Sequence, residues 1–302
     1  MLPKPPARDG QVGYLYIPPY RVQGISVAGE QTSVQVPELD VAFDVGMCPR
    51  FALTSPYIAL SHTHMDHVGG LPYYFSQRMF QKLGPGTVVC HAAMAEPIQT
   101  MMGSWVDLER QCTQHKIIPL EHGEEIQIKN NIMLRAVEMR HTIPAMGYAL
   151  VEHRSKLREE FRDLPQDRLR QLKAQGTDIT HTLEIPLIAY TGDTEMCPNL
   201  FSDEFATAKV VISECTFFEP DQRQRSSVGK HLHVEDIAKL LDVWQAEHVV
   251  LVHLSRRTHI TRSREQLVEM VGPEQAQRVL FLMDHRANRE RFEQQLSAVG
   301  AR

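Results

Sequence analysis

The sequence is poor in the features that stabilise small secreted scaffolds. It has five cysteines, Cys48, Cys90, Cys112, Cys197 and Cys215, and no C-x-x-C spacing among them. An odd, scattered set argues against a disulfide framework or a zinc ribbon and fits reduced thiols in a cytoplasmic protein. No apolar run approaches the roughly 20 residues of a membrane span, so no membrane association is expected. The opening segment MLPKPPARDG lacks the apolar stretch of a secretory signal. Basic charge is not in excess either. The formal net charge is −5, so a polyanionic partner would have to meet a local patch rather than a global field.

What is present is an ordinary core and many histidines. The 302 residues are 42% hydrophobic, enough for a sizeable core, and include fifteen histidines. No tandem period is visible. Two β-rich halves use the same strand–loop–helix grammar, which reads as one domain over 1–302 in two halves.

Residues 1–20 are Pro-rich and read as an irregular lead-in. Ile25–Val27, Ser33–Val36, Val41–Phe43 and Tyr57–Leu60 read as strands. A helix is expected from Leu71 to Leu83, a strand at Thr87–Cys90, and a helix from about Ala92 to Val106. Strands follow at Glu125–Ile128 and Met133–Met139. In the second half, Pro186–Tyr190, Lys209–Ser213 and His248–Val252 read as strands, and Val234–Trp244 as a helix. Between the halves the pattern changes. Residues 152–175 hold seven basic and five acidic residues, with apolar positions that suggest two short amphipathic helices around Pro165. That segment reads equally as a solvated surface or as a substrate-gripping insertion.

The chemistry concentrates at His62-Thr63-His64-Met65-Asp66-His67, directly after an apolar strand. Imidazole and carboxylate suit Zn²⁺. The i, i+2 spacing in an extended segment points His62 and His64 the same way, and Asp66 and His67 can turn towards a second metal. Four residues cannot complete two metal sites, so distant ligands are needed. His141, Asp193 and His253 each stand where an apolar strand stops. Singly, the histidines could be core residues and Asp193 a turn residue. Jointly, they complete the motif.

These residues resemble the five ordered motifs of the metallo-β-lactamase superfamily. The resemblance implies a four-layer αβ/βα sandwich of two mixed β-sheets flanked by helices. It implies two Zn²⁺ per chain, with Mn²⁺ or Fe²⁺ as alternatives. His62, His64 and His141 would hold one ion, Asp66, His67 and His253 the other, with Asp193 bridging.

Further segments are similar to the ribonuclease Z family, especially its short plant-type form. They are Phe43–Gly46, Leu60–Pro72, Gly147-Tyr148, Thr191–Thr194, Ser213–Phe217 and Val252–Arg257, spread over roughly residues 20–260. This resemblance implies a zinc-dependent endoribonuclease that removes 3′ trailers from precursor tRNA through a metal-bridging hydroxide. Asp66 would orient the hydroxide, and His231, aided by Glu214, would protonate the leaving oxygen. Arg257 would bind a phosphate oxygen, an ion pair being the ordinary alternative. His233 aligns with a small hydroxyl residue and is not expected to be catalytic. A homodimer is implied, with residues 152–184 as a short substrate-binding arm. Thr258 departs from the family pattern, where a tyrosine is usual, as do Ala145 and Met146, which stand between His141 and Gly147 where a serine is usual. The long Gly-Pro-rich arm of the bacterial enzymes is not visible. The rival readings are a cyclic-nucleotide phosphodiesterase, lactonase or thioesterase on the same fold, or a non-catalytic metal-binding protein.

Overall fold

The computed structural model describes residues 12–300. Residues 1–11 of the expected lead-in lie outside the described residues. The remainder of that lead-in is not irregular. Strand β1 (Gly13–Ile17) pairs antiparallel with β2 (Tyr20–Val27), and Pro18 and Pro19 occupy the turn between them. Proline reads as a breaker, yet here it only marks the hairpin corner, where no ladder N–H is required.

β3 (Gln31–Val36), β4 (Val41–Phe43), β5 (Tyr57–Ala59), β6 (Gly86–His91) and β7 (His115–Leu120) complete a sheet ordered β1 to β7. The second sheet contains β8 (Glu125–Lys129), β9 (Ile132–Arg140), β10 (Pro144–Leu157), β11 (Thr180–Tyr190), β12 (Val210–Glu214), β13 (His248–Val252) and β14 (Val279–Phe281). Its strand order mirrors the first sheet, running from β14 to β8. In each sheet one half is antiparallel and the other parallel; β4–β7 and β11–β14 are the parallel halves.

Three apolar clusters make this four layers. One lies between the sheets and joins Val34, Val36 and Phe43 to Leu134, Tyr148, Ile188 and Tyr190. Phe43 stacks on Tyr190 at 4.5 Å between ring centroids, a favourable offset aromatic pair. The outer face of the first sheet packs Leu71, Phe75, Ile98 and Met102 from helices Leu71–Phe80 and Ala92–Glu109. The outer face of the second packs Phe205, Ile237, Leu240, Trp244 and Leu267. The result is the αβ/βα sandwich of two mixed sheets.

The segment between the halves differs from the expectation of two helices. β10 pairs with β9 only as far as Glu152, and beyond it residues 153–157 pair with β11 alone. The two strands thus leave the sheet as a ribbon. At its tip, Glu159–Phe161 forms a single 3₁₀ turn, and only Gln166–Ala174 is an α-helix, with no buried residue. The charged cross-strand positions hid the strands from an apolar-periodicity reading. β7 and β14 were also illegible: Pro119 interrupts the first, and the second has three residues.

Candidate metal centre

The parallel strands end together on one side of the sandwich, and their ends carry the polar residues. Asp44 follows β4, His62 follows β5, Asp193 follows β11, Glu214 ends β12, and His253 follows β13. His141 sits in the turn between β9 and β10. The backbone accommodates unusual angles here. Asp44 and His253 have φ of 59° and 57°, in the left-handed region, at a cost on the order of 1–3 kcal/mol each. Gly192, at φ 58°, precedes Asp193; a Cβ there would lie 2.6 Å from Ser61 Cβ. A Cβ on Gly46 would meet the Asp66 carbonyl oxygen at 2.0 Å, so only glycine lets β4 exit against the histidine segment.

All seven expected ligands converge. His62 Nε2 and His141 Nε2 lie 3.0 and 3.2 Å from His64 Nδ1. On the other side, Asp66 Oδ2 is 3.4 Å from His253 Nε2 and 3.7 Å from His67 Nε2. Asp193 Oδ2 stands between the groups, 3.3 Å from His67 Nε2, 3.3 Å from His253 Nε2 and 3.8 Å from His62 Nε2. Two trios, His62–His64–His141 and Asp66–His67–His253, each hold their ligand atoms within 4.8 Å of one another. These clusters have the composition of one or two metal sites.

Four of the five histidines are locked into one tautomer by their outer nitrogen. The Ser61 hydroxyl gives its proton to Asp44 Oδ2 at 2.8 Å, so it accepts from His62 Nδ1 at 3.0 Å. His67 Nδ1 donates to Asp44 Oδ2 at 2.8 Å, and His141 Nδ1 donates to the Lys230 carbonyl at 3.1 Å. Thr216 Oγ1 gives its proton to Glu214 Oε2 at 2.7 Å and accepts from His253 Nδ1 at 2.9 Å. In its neutral form each ring then presents the Nε2 lone pair inward, the form a metal requires. Asp44 itself is fully buried and also accepts from the Ser61 amide at 2.7 Å and the Tyr190 hydroxyl at 2.6 Å.

The electrostatics favour the same forms for His62, His64 and His141. At His67 burial opposes the charge, but Asp193 and Asp44 outweigh it and raise the pKa well above the usual imidazole range, so a cation must displace its second proton. Burial pushes His62 down to about 2, an effect reinforced by His67. His64 and His141 are also shifted down, again chiefly by burial. For Asp66 and Asp193 burial opposes the charge, but His253 and His67 outweigh it and hold both below the usual carboxylate range. Neutral imidazoles and ionised carboxylates are what a divalent cation binds. A decisive sign is that His67 Nε2 and Asp193 Oδ1 are buried without a hydrogen-bond partner. Orphaned buried polar atoms are costly and rare, and a cation between these groups would satisfy both. The nitrogen and oxygen donor set suits Zn²⁺.

Beside this cluster, His231 Nδ1 lies 3.0 Å from Glu214 Oε1 and 3.8 Å from Asp193 Oδ2. Burial opposes protonation of His231, but Glu214 and Asp193 outweigh it and raise its pKa to about 9. Glu214 is fixed in turn by the Thr194 amide at 2.8 Å and by Thr216. The neighbouring His233 has a local structural task. Its side chain caps the helix Val234–Leu241 in a reciprocal box with Asp236, and its Nε2 donates to the Glu219 carbonyl. Arg257 is exposed, forms no side-chain ion pair among the described residues, and lines a cleft of about 390 Å³ with Phe217 and Arg225. Sequence reasoning did not single out Ser61, Thr216, Tyr190 or a role for Asp44 beyond its motif. They are common residue types whose importance lies in the third dimension.

A family profile described as "Beta-lactamase superfamily domain" matches residues 54–254, which include every ligand candidate. The chain belongs to the metallo-β-lactamase superfamily. Within the superfamily it is related to the ribonuclease Z family. It is 29% identical over 266 residues to the tRNase Z TRZ1 of Arabidopsis thaliana, covering 87% of this chain and 95% of the relative. It is 31% identical to the chloroplastic tRNase Z TRZ2 of the same plant, covering 83% and 72%. Among solved structures, the metallo-β-lactamase fold protein YhfI of Bacillus subtilis superposes with a TM-score of 0.61 at 15% identity, covering 89% of this chain and 94% of that one. The human short-form tRNase Z superposes at 0.54 and 16% identity, covering 89% and 95%. At these identities the superpositions speak to the superfamily fold. Among the described residues no helix is long and apolar enough to cross a membrane, and all five cysteines are free thiols.

Proposed function

We propose that this superfamily member is an endoribonuclease of the ribonuclease Z type, removing 3′ trailers from precursor tRNA. The observation that carries the reading is the Glu214–His231 pair, 3.0 Å apart beside Asp193. A thioesterase expels a thiolate, which leaves without much help from a proton donor, whereas a phosphodiester must expel a poor alkoxide leaving group. The similarity to plant tRNase Z enzymes over most of the chain supports the same choice.

His62, His64 and His141 would hold one divalent ion, and Asp66, His67 and His253 a second, with Asp193 reaching both. Two Zn²⁺ ions suit the ligands, and Mn²⁺ or Fe²⁺ would be alternatives. When bound, they would supply Lewis acidity towards a phosphoryl oxygen and lower the pKa of water. The chain's own residues do the rest. Asp66, anchored by the Gly29 amide at 2.9 Å, accepts a hydrogen bond from the attacking water and orients it towards phosphorus. Glu214 engages His231 Nδ1, so the proton for the leaving 3′-oxygen sits on Nε2. Arg257 binds a non-bridging phosphate oxygen through its fork. The products are a tRNA with a 3′-hydroxyl and a 5′-phosphorylated trailer.

Residues 152–184 serve as the arm that grips tRNA, carried by a single domain that works in the cytoplasm as a homodimer. The test is incubation of the zinc-loaded protein with a trailer-bearing tRNA precursor, beside bis-p-nitrophenyl phosphate and a lactone. Endonucleolytic release of the trailer is expected; turnover of the lactone alone would overturn the reading.

A further inference from the structure

The cleft lined by Phe217, Arg225 and Arg257 is built from residues that the ligand cluster does not use. Three guanidinium groups, Arg225, Arg256 and Arg257, face one carboxylate, Glu30. Arg256 forms an ion pair with Glu30. Arg225 and Arg257 have no carboxylate partner among the described residues. This local excess of positive charge stands out in a chain of net charge −5, and a concave site concentrates its field on an anion.

The cleft also has an aromatic wall. Phe217 is half-buried, and the Arg225 guanidinium lies over its ring at 5.6 Å. Phenylalanine rings and guanidinium planes both stack on bases, and a planar base can extend this pair or replace the guanidinium on the ring. The cleft adjoins the candidate centre at two points. The Phe217 ring is 6.1 Å from the His231 ring. The lining also includes Ala28, whose neighbour Gly29 holds Asp66 through its amide.

We infer that this cleft binds the nucleotide on the leaving-group side of the scissile phosphate, with its base on Phe217 and its 5′-phosphate on Arg225, while Arg257 stays with the scissile phosphate. The inference rests on the proposed phosphodiesterase reading, because His231 marks the leaving side only if it donates the proton there. Arg225 and Phe217 then help select a nucleotide over a simple phosphate ester.

The probe is adenosine 3′,5′-bisphosphate, which carries a phosphate on each side of one nucleoside. Its dissociation constant from the zinc-loaded protein is compared with those of adenosine 3′-monophosphate and inorganic phosphate by titration calorimetry. The wild type is expected to prefer the bisphosphate to inorganic phosphate by about a hundredfold, and Phe217→Ala to lose about tenfold of that preference. Arg225→Ala is expected to lose about tenfold in the preference for bisphosphate over 3′-monophosphate. Because Arg225 is exposed, its variant keeps the test readable if Phe217→Ala does not fold. A wild type without preference, or variants that keep it, would overturn the inference. The tRNA precursor assay separates the two readings. A protein that cleaves the precursor but shows no cleft preference refutes this inference alone. One that shows the preference but never cleaves RNA refutes the activity and leaves the nucleotide site standing.

Discussion

The Thr216 hydroxyl lies 2.9 Å from His253 Nδ1 and receives its proton. It can do so because its own proton is committed to Glu214 at 2.7 Å. One hydroxyl therefore ties a ligand candidate to the carboxylate that holds His231. Thr216→Val should leave both His253 Nδ1 and Glu214 Oε2 unpartnered. Metal affinity is expected to fall about 10–100-fold, read by competition against a coloured chelator, while Thr216→Ser restores it. Unchanged affinity in the valine variant would show that the ring is oriented by other contacts.

His231 touches the ligand cluster from outside, so its loss should separate chemistry from metal binding. His231→Ala is expected to lower kcat by roughly 10²–10⁴-fold with bound zinc unchanged by elemental analysis. Loss of zinc, or an unaffected rate, would remove it from the role of proton donor.

Asp44 concentrates four hydrogen bonds in a fully buried site, from the Ser61 amide and hydroxyl, His67 and Tyr190. Asp44→Ala strands all four donors. The metal-free protein is expected to lose about 3–5 kcal/mol of unfolding free energy in urea. Tyr190→Phe removes only one donor and should cost about 1–2 kcal/mol. Equal losses would mean that the cavity, rather than the stranded donors, sets the cost.

Chelation should act on stability as well as on rate. A metal that binds only the folded chain stabilises it by mass action, about 4 kcal/mol at a thousandfold excess over Kd. Treatment with EDTA is expected to abolish hydrolysis and lower the melting temperature by several degrees. About two equivalents of zinc per chain should restore both. Recovery at one equivalent would point to a mononuclear centre.

The ribbon beyond Glu152 has no part in the apolar clusters. Replacing residues 158–178 by a short turn is expected to raise KM for tRNA precursor about tenfold or more and to leave turnover of bis-p-nitrophenyl phosphate near its original value. Parallel loss on both substrates would make the ribbon a structural element.

Much of the candidate site is legible in one dimension. Ligand chemistry needs particular side chains, so His62, His64, Asp66 and His67 stand out wherever they fold, and His141, Asp193 and His253 are legible as polar residues that end apolar strands. The alternation of short strands and helices supports one domain in two β-rich halves, and it is the resemblance of the motifs to the metallo-β-lactamase superfamily that implies the sandwich. Tertiary structure alone decided how these residues act together. Ser61, Thr216 and Tyr190 carry no signal in one dimension, because a hydroxyl acquires meaning only from the groups it bridges, and Glu214 with His253 are 39 positions apart along the chain but share one threonine. The ribbon and β1 were hidden for a related reason. Their strand character comes from backbone pairing with a neighbour rather than from an apolar period, and pairing across a chain reversal is settled only when the fold closes.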